Sequence, residues 1–175
     1  MSNVRIREAQ VNDAAAIAKV HVDSWRTTYA GIVPDDFLTK LSYGQRERNW
    51  RNILSTPDST EFVYVAEDAE GSVIGFASGG PERSGDADYK GELYAIYLLD
   101  KYQHKGIGRQ LTVAAARRLL QQGFRSMLVW VLAENPSRAF YEALGAEHPI
   151  EDGKENYTRY VWRDLPRLAA MCPLE

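Results

Sequence analysis

The sequence predicts an α/β (α+β) fold, a mixed sheet flanked by helices. Its centre is a strand–loop–helix unit. Leu93 to Leu99 is an apolar strand-like run, Gln103-His104-Lys105-Gly106-Ile107-Gly108 is a glycine-rich loop, and Arg109 to Gln122 has helical spacing. Met127 to Leu132 is almost wholly apolar, as expected of a strand buried on both faces. Phe62 to Ala66 and Val73 to Ala77 flank Glu70-Gly71, a hairpin signal.

The remaining elements follow in order. Val4 to Arg7 alternates apolar and basic residues and reads as a first strand. Asn12 or Asp13 can cap the next helix, where Ala14, Ile17, Ala18, Val20, His21 and Trp25 recur at helical spacing. Pro34-Asp35-Asp36 starts a short helix through Leu41. Ser42 to Leu54 is a third helix with Trp50, Ile53 and Leu54 on its apolar side. Gly79 to Asp88 is a polar loop before the central strand, which starts at Tyr89. Gly123 ends the following helix. Asn135-Pro136 opens another that runs through Leu144 and stops at Gly145, and Tyr157 to Arg163 forms a last strand. The length suits one domain spanning residues 1–175, with no repeats or linker.

Composition narrows the function classes. A formal net charge of -3 argues against nucleic acid as the main partner, which usually demands a basic face. The one cysteine, Cys172, allows neither an intrachain disulfide nor cysteine-rich metal spacing. No apolar run approaches the roughly 20 residues that span a bilayer, and the N-terminus carries no secretory apolar block. No metal and no membrane partner are therefore expected, and the cytoplasm is the expected location.

A strand, a glycine-rich loop and a helix make a pocket for an anion. The first amides of a helix lack internal partners and carry the positive end of its dipole. Gly106 and Gly108 permit close approach and positive φ. Lys105 and Arg109 add charge. Gly106-Ile107-Gly108 is part of a dinucleotide fingerprint, but Leu111 replaces its third glycine and too little chain follows Glu134 for that fold. A nucleotide-hydrolase phosphate loop needs a lysine followed by serine or threonine after its last glycine, and none is present.

The element order, with Gln-x-x-Gly-x-Gly between the central strand and its helix, resembles the GNAT N-acetyltransferase family over nearly the whole chain. Asn135-Pro136-Ser137-Arg138-Ala139-Phe140-Tyr141-Glu142-Ala143-Leu144-Gly145 resembles the family's second motif. His104 stands where the family commonly has glycine. The resemblance implies the acyl-CoA N-acyltransferase fold, a centrally splayed sheet of six to seven strands, with acetyl-CoA as cosubstrate. It implies that Ile96, Tyr97 and Leu98 pair through their backbone with the pantetheine arm, which a strand edge can bind as a pseudo-strand. It further implies that Gln103, His104, Lys105, Gly106, Ile107, Gly108 and Arg109 wrap the pyrophosphate. Asn135 and Ser137 fit a cofactor contact and a helix cap equally.

The implied reaction is direct attack of an amine on the thioester. Tyr141, on the second motif, is the expected acid at the departing sulfur and a cofactor neighbour. A phenol near pKa 10 protonates a thiolate near 8.5 only uphill by about 2 kcal/mol, so hydrogen-bond stabilisation of the developing charge outweighs full transfer. Glu92 is the expected base, directly or through a water, because some amine-acetylating relatives carry a glutamate there. Strand alternation would put Glu92, Tyr94 and Ile96 on one face. Tyr29, Glu92 and Tyr94 are the expected acceptor-binding residues. Trp25 is expected in the core, and His21 and His148 to be structural. Cys172 lies outside both motifs, so no covalent intermediate is expected. A small-molecule amine is the expected acceptor, from the likeness of the Ser24 to Pro34 segment to bacterial members acting on small amines. A protein N-terminus or lysine, or a non-catalytic acyl-CoA-binding role, are the alternatives. A homodimer is expected from family habit.

Overall fold

The computed structural model describes residues 3–149, 153–154 and 156–171. Cys172 lies outside the described residues. One seven-stranded sheet has the order β1-β2-β3-β4-β5-β7-β6. Its strands are β1 (Arg5–Glu8), β2 (Phe62–Glu67), β3 (Val73–Pro81), β4 (Gly91–Leu98), β5 (Met127–Leu132), β6 (Gly153–Lys154) and β7 (Tyr157–Trp162). The helices are α1 (Ala14–Thr28), α2 (Asp35–Thr39), α3 (Tyr43–Ser55), α4 (Ile107–Gln121), α5 (Arg138–Ala143) and α6 (Leu165–Ala169).

The two faces of the sheet are covered by different parts of the chain. On one, α4 and α6 bury Ile107, Leu111, Ala115, Leu119, Leu165 and Leu168 against Leu93, Met127 and Val129. On the other, α1 and α3 bring Ala14, Ile17, Ala18, Val20 and Trp50 against Val63, Val65 and Phe76. Burial of these faces is the main stabilising term. Ser42 caps α3 by accepting from Gln45 N–H at 3.2 Å, as an N-cap serine should.

Several boundaries differ from expectation. β3 continues through Gly79, Gly80 and Pro81, which pair with Leu93, Glu92 and Gly91. The loop therefore begins at Glu82. The central strand begins at Gly91 and not Tyr89. α5 begins at Arg138: Asn135 and Pro136 form the preceding turn, with Asn135 Oδ1 accepting from Ser137 N–H at 2.8 Å. Asp13 precedes α1 but makes no side-chain cap; its carboxylate accepts from Gln10 N–H and from Arg7.

The pairing of β4 positions the site. Its antiparallel ladder with β3 skips Tyr94: Ala95 opposes Ser78 and Leu93 opposes Gly79. Tyr94 is the extra residue of a β-bulge, and a bulge shifts the alternation of the strand. Leu93, Ile96 and Leu98 consequently face the α4 side, whereas Ala95 and Tyr97 face α1. The expectation that Glu92, Tyr94 and Ile96 share one face is thus overturned for Ile96. On its other edge, β4 pairs parallel with β5 only from Gly91 to Leu93, opposite Met127 to Val129. Beyond that the two strands separate.

Candidate active site

The separation of β4 from β5 opens a cleft of about 200 Å³. Tyr94, Ala95, Ile96 and Tyr97 form one wall, and Val129, Trp130, Val131 and Leu132 the other. Trp25 and Tyr29 from α1, Asn135 and Tyr141 from the α5 segment, and Tyr157 from β7 complete it. None of these lining side chains is charged. Beyond Leu93, β4 has no strand partner on its β5 side, so main-chain groups there can pair with a bound chain. Gln103 Nε2 already donates to Leu98 O at 3.2 Å.

The loop after β4 ends in two unusual residues. His104 has φ 61°, the left-handed conformation that favours glycine. Gly106 has φ 82° and directly precedes α4. Gln110 N–H is the first in this helix to bond back, to Gly106 O at 3.2 Å. Ahead of it, the amides of Ile107, Gly108 and Arg109 have no backbone partner among the described residues. Gly108 does not have the positive φ expected from sequence; it is small because a Cβ there would lie 3.0 Å from the Phe140 ring of α5. The Arg109 guanidinium donates to Met171 O and so ties α4 to the chain after α6. The Lys105 ammonium sits 5.7 Å from the Tyr102 ring.

Tyr141 is 5% exposed, its ring stacked on Tyr160 at 5.7 Å. Tyr160 is tied at its hydroxyl, accepting from Arg138 Nε and donating to Glu142. Tyr141 is not: among the described residues nothing hydrogen-bonds its hydroxyl, and it lines the cleft. Burial raises its pKa above that of an ordinary phenol, with the nearby Tyr29 adding to the effect.

Tyr29 and Asn135 meet across the cleft. Asn135 Nδ2 donates to Tyr29 Oη at 3.2 Å. Trp25 is half-buried on the cleft wall rather than enclosed in the core, and its Nε1 donates to Tyr97 Oη at 2.9 Å. Behind Tyr97, His21 stacks at 5.2 Å and accepts from Trp50 Nε1 at 3.2 Å. Burial lowers the His21 pKa to about 4, so this imidazole is neutral at pH 7.

Glu92 is elsewhere. It is 4% exposed and does not line the cleft. Its carboxylate accepts from Arg83 N–H at 3.1 Å and from Arg83 Nη2 at 2.9 Å. The same guanidinium lies 3.6 Å over the Tyr94 ring, so Arg83 bridges Glu92 to the cleft wall. Tyr94 donates to Pro81 O at 2.5 Å, its hydroxyl passing over Gly80, where a Cβ would come within 2.8 Å of it. Burial pushes the Tyr94 pKa up to about 12. The structure thus brings Tyr29, Tyr94, Ile96, Tyr97, Asn135 and Tyr141 to one cleft, and sets Glu92 and Ser137 outside its lining. Sequence reasoning missed Trp130 and Tyr157 as cleft residues. The apolar run of β5 carries no mark of where it leaves β4.

Residues 20–146 match the model of the acetyltransferase (GNAT) family. The chain belongs to the acetyltransferase (GNAT) family. An uncharacterized N-acetyltransferase of Bacillus subtilis, YuaI, is 51% identical over 152 residues, 87% of this chain and 85% of that one. A spermidine N(1)-acetyltransferase of Thermoplasma acidophilum is 26% identical over 87% of this chain and 94% of its own length. The fold is that of the PaiA N-acetyltransferase from T. acidophilum, solved in complex with coenzyme A. It superposes with a TM-score of 0.74 at 24% identity, covering 91% of this chain and 98% of that one. As a GNAT member the protein is an acetyl-CoA-dependent N-acetyltransferase. The splayed strands, the unpaired amides at the start of α4 and the unpaired Tyr141 hydroxyl fit that cosubstrate. Among the described residues no group of three or more His, Cys, Asp or Glu could hold a metal, and no helix is long and apolar enough to cross a membrane.

Proposed function

We propose that this enzyme moves acetyl from acetyl-CoA to a primary amine of a small molecule, by direct attack on the thioester within the cleft. The observation that carries this reading is the free Tyr141 hydroxyl in a cleft bounded by unpaired strand edge. The pantetheine arm would pair with main-chain groups of Ile96, Tyr97 and Leu98. The pyrophosphate would sit on the loop Gln103 to Arg109, held by the amides of Ile107, Gly108 and Arg109. Holding amine and thioester together supplies much of the acceleration.

Tyr141 faces the departing sulfur in this reading. Its raised pKa keeps it protonated and makes it a hydrogen-bond donor more than a source of a fully transferred proton. Glu92 accepts the amine proton through a water, because Arg83 occupies its carboxylate directly. Tyr94, with a cation already stacked on its ring, and Tyr29 border the acceptor. The likeness to a spermidine acetyltransferase supports a small amine. Homodimer formation belongs to the same reading.

The test is a screen of polyamines, amino acids, aminoglycosides and peptides, following CoA release. Turnover on a small amine supports the reading. Turnover confined to peptides, or binding of acetyl-CoA with no turnover on any acceptor, overturns it. With the best acceptor, Glu92→Gln is expected to lower kcat/KM about tenfold and move its pH profile; an unchanged profile removes Glu92 from the proton path.

A further inference from the structure

The orientation of the Asn135 side chain is fixed by a backbone group. Ser137 N–H can only donate, so the atom it meets at 2.8 Å is the carbonyl oxygen Oδ1. The other end of the amide, Nδ2, has only protons to offer, and it donates to Tyr29 Oη at 3.2 Å. Both residues are buried, and both line the cleft. Tyr29 is in turn placed by its main chain. Its N–H donates to Trp25 O, and its carbonyl accepts from Ile32 and Val33 N–H, each at 3.0 Å. Its ring packs 4.5 Å from Trp25. The residues of α1 pack with Val63, Val65 and Phe76, whereas Tyr141 and Leu144 of the α5 segment belong to the core under α4. The Asn135–Tyr29 bond thus ties together two separately packed walls of one cleft.

We infer that Asn135 is a positioning residue for the acceptor amine, acting through Tyr29. The inference rests on the reading that Tyr29 borders the acceptor. A phenol oxygen has one proton and two lone pairs. Asn135 fills one lone pair and leaves the other to accept an N–H of the acceptor. The same bond holds the Tyr29 oxygen against the opposite wall, so the amine is offered one fixed docking point. Asn135 itself touches neither reactant: one end of its amide holds the turn before α5, and the other holds Tyr29. No covalent bond forms or breaks at either residue.

The experiment measures acceptor KM, kcat and CoA affinity of the intact protein, with unfolding temperature as a control. Asn135→Ser keeps a hydroxyl for the turn but is too short to reach Tyr29. It should raise the acceptor KM about five- to tenfold, the range of one net hydrogen bond, while kcat changes by about twofold at most and CoA affinity is kept. Asn135→Asp keeps the acceptor for Ser137 N–H and lets Tyr29 donate to the new carboxylate. Tyr29 then stays in place, and KM should return toward its wild-type value. Tyr29→Phe should raise KM by a factor like that of Asn135→Ser, and combining the two should add nothing further. Two losses that simply add would overturn the inference. So would a CoA affinity that falls together with acceptor binding in Asn135→Ser, which would make Asn135 a cofactor contact. Absence of turnover by the wild-type protein on any amine would overturn the acetyl-transfer reading itself, and the inference with it.

Discussion

The two ends of the cleft are made in opposite ways. At the α4 end, the proposed anion site comes from consecutive residues, Gln103 to Arg109, and consists of main chain: two left-handed residues and a row of amides with no backbone partner among the described residues. At the α1 end, the polar site comes from residues far apart in the chain. There Trp25 hydrogen-bonds Tyr97, and Asn135 hydrogen-bonds Tyr29, side chain to side chain. In the proposed reading the first end takes a ligand part that never changes, the pyrophosphate of CoA. In the same reading the second borders the reacting acetyl group and the acceptor. Substitutions at the two ends should consequently separate in what they weaken.

The largest expected effect falls on the hydroxyl end and depends on pH. His21 is buried against Tyr97, Trp50 and Phe76 with its pKa lowered to about 4, against about 6.5 in an unfolded chain. The unfolded state binds the extra proton first, so stability from this group is complete above pH 6.5 and is lost as pH falls toward 4. The total is about 3 kcal/mol. Urea unfolding from pH 7 to 4 should show a slope that His21→Gln flattens, since Gln keeps an acceptor for Trp50 Nε1.

The loop end gives the next effect. Gly108→Leu must push Phe140 aside and should cost about 2 kcal/mol of stability. It should weaken CoA and acetyl-CoA by the same factor. Gly106→Ala meets open space but keeps a left-handed φ, so it should cost only about 1 kcal/mol, again without changing the preference between the two ligands. If either loop variant altered that preference, the division between the ends would fail.

The same division explains what could be read in the sequence. The α4 loop and the Asn135 to Gly145 segment are local: spacing, glycine and capping residues suffice to place them. His104, which stands where the family commonly has glycine, adopts the left-handed φ that favours glycine. The bulge at Tyr94 depends on β3, where Gly79 and Gly80 let β4 and the Tyr94 ring come close, and no period within β4 announces it. The same holds for Trp25, whose helical spacing suits a core residue but whose indole N–H requires an acceptor and finds Tyr97 at the cleft. Glu92 was legible as a strand carboxylate and expected base, but not as buried, and its partner Arg83 lies in a loop that only the pairing of β3 with β4 brings back.

The most direct test of the account is Tyr141→Phe, assayed for acetyl transfer to the best acceptor and for CoA affinity side by side. The substitution removes one hydroxyl that no described residue binds and leaves the ring stacked on Tyr160. The account predicts a fall in kcat of about a hundredfold, the scale of one lost donor to a developing charge, with CoA affinity and unfolding temperature kept. An unchanged kcat, or a fall matched by an equal loss of CoA binding, would contradict it.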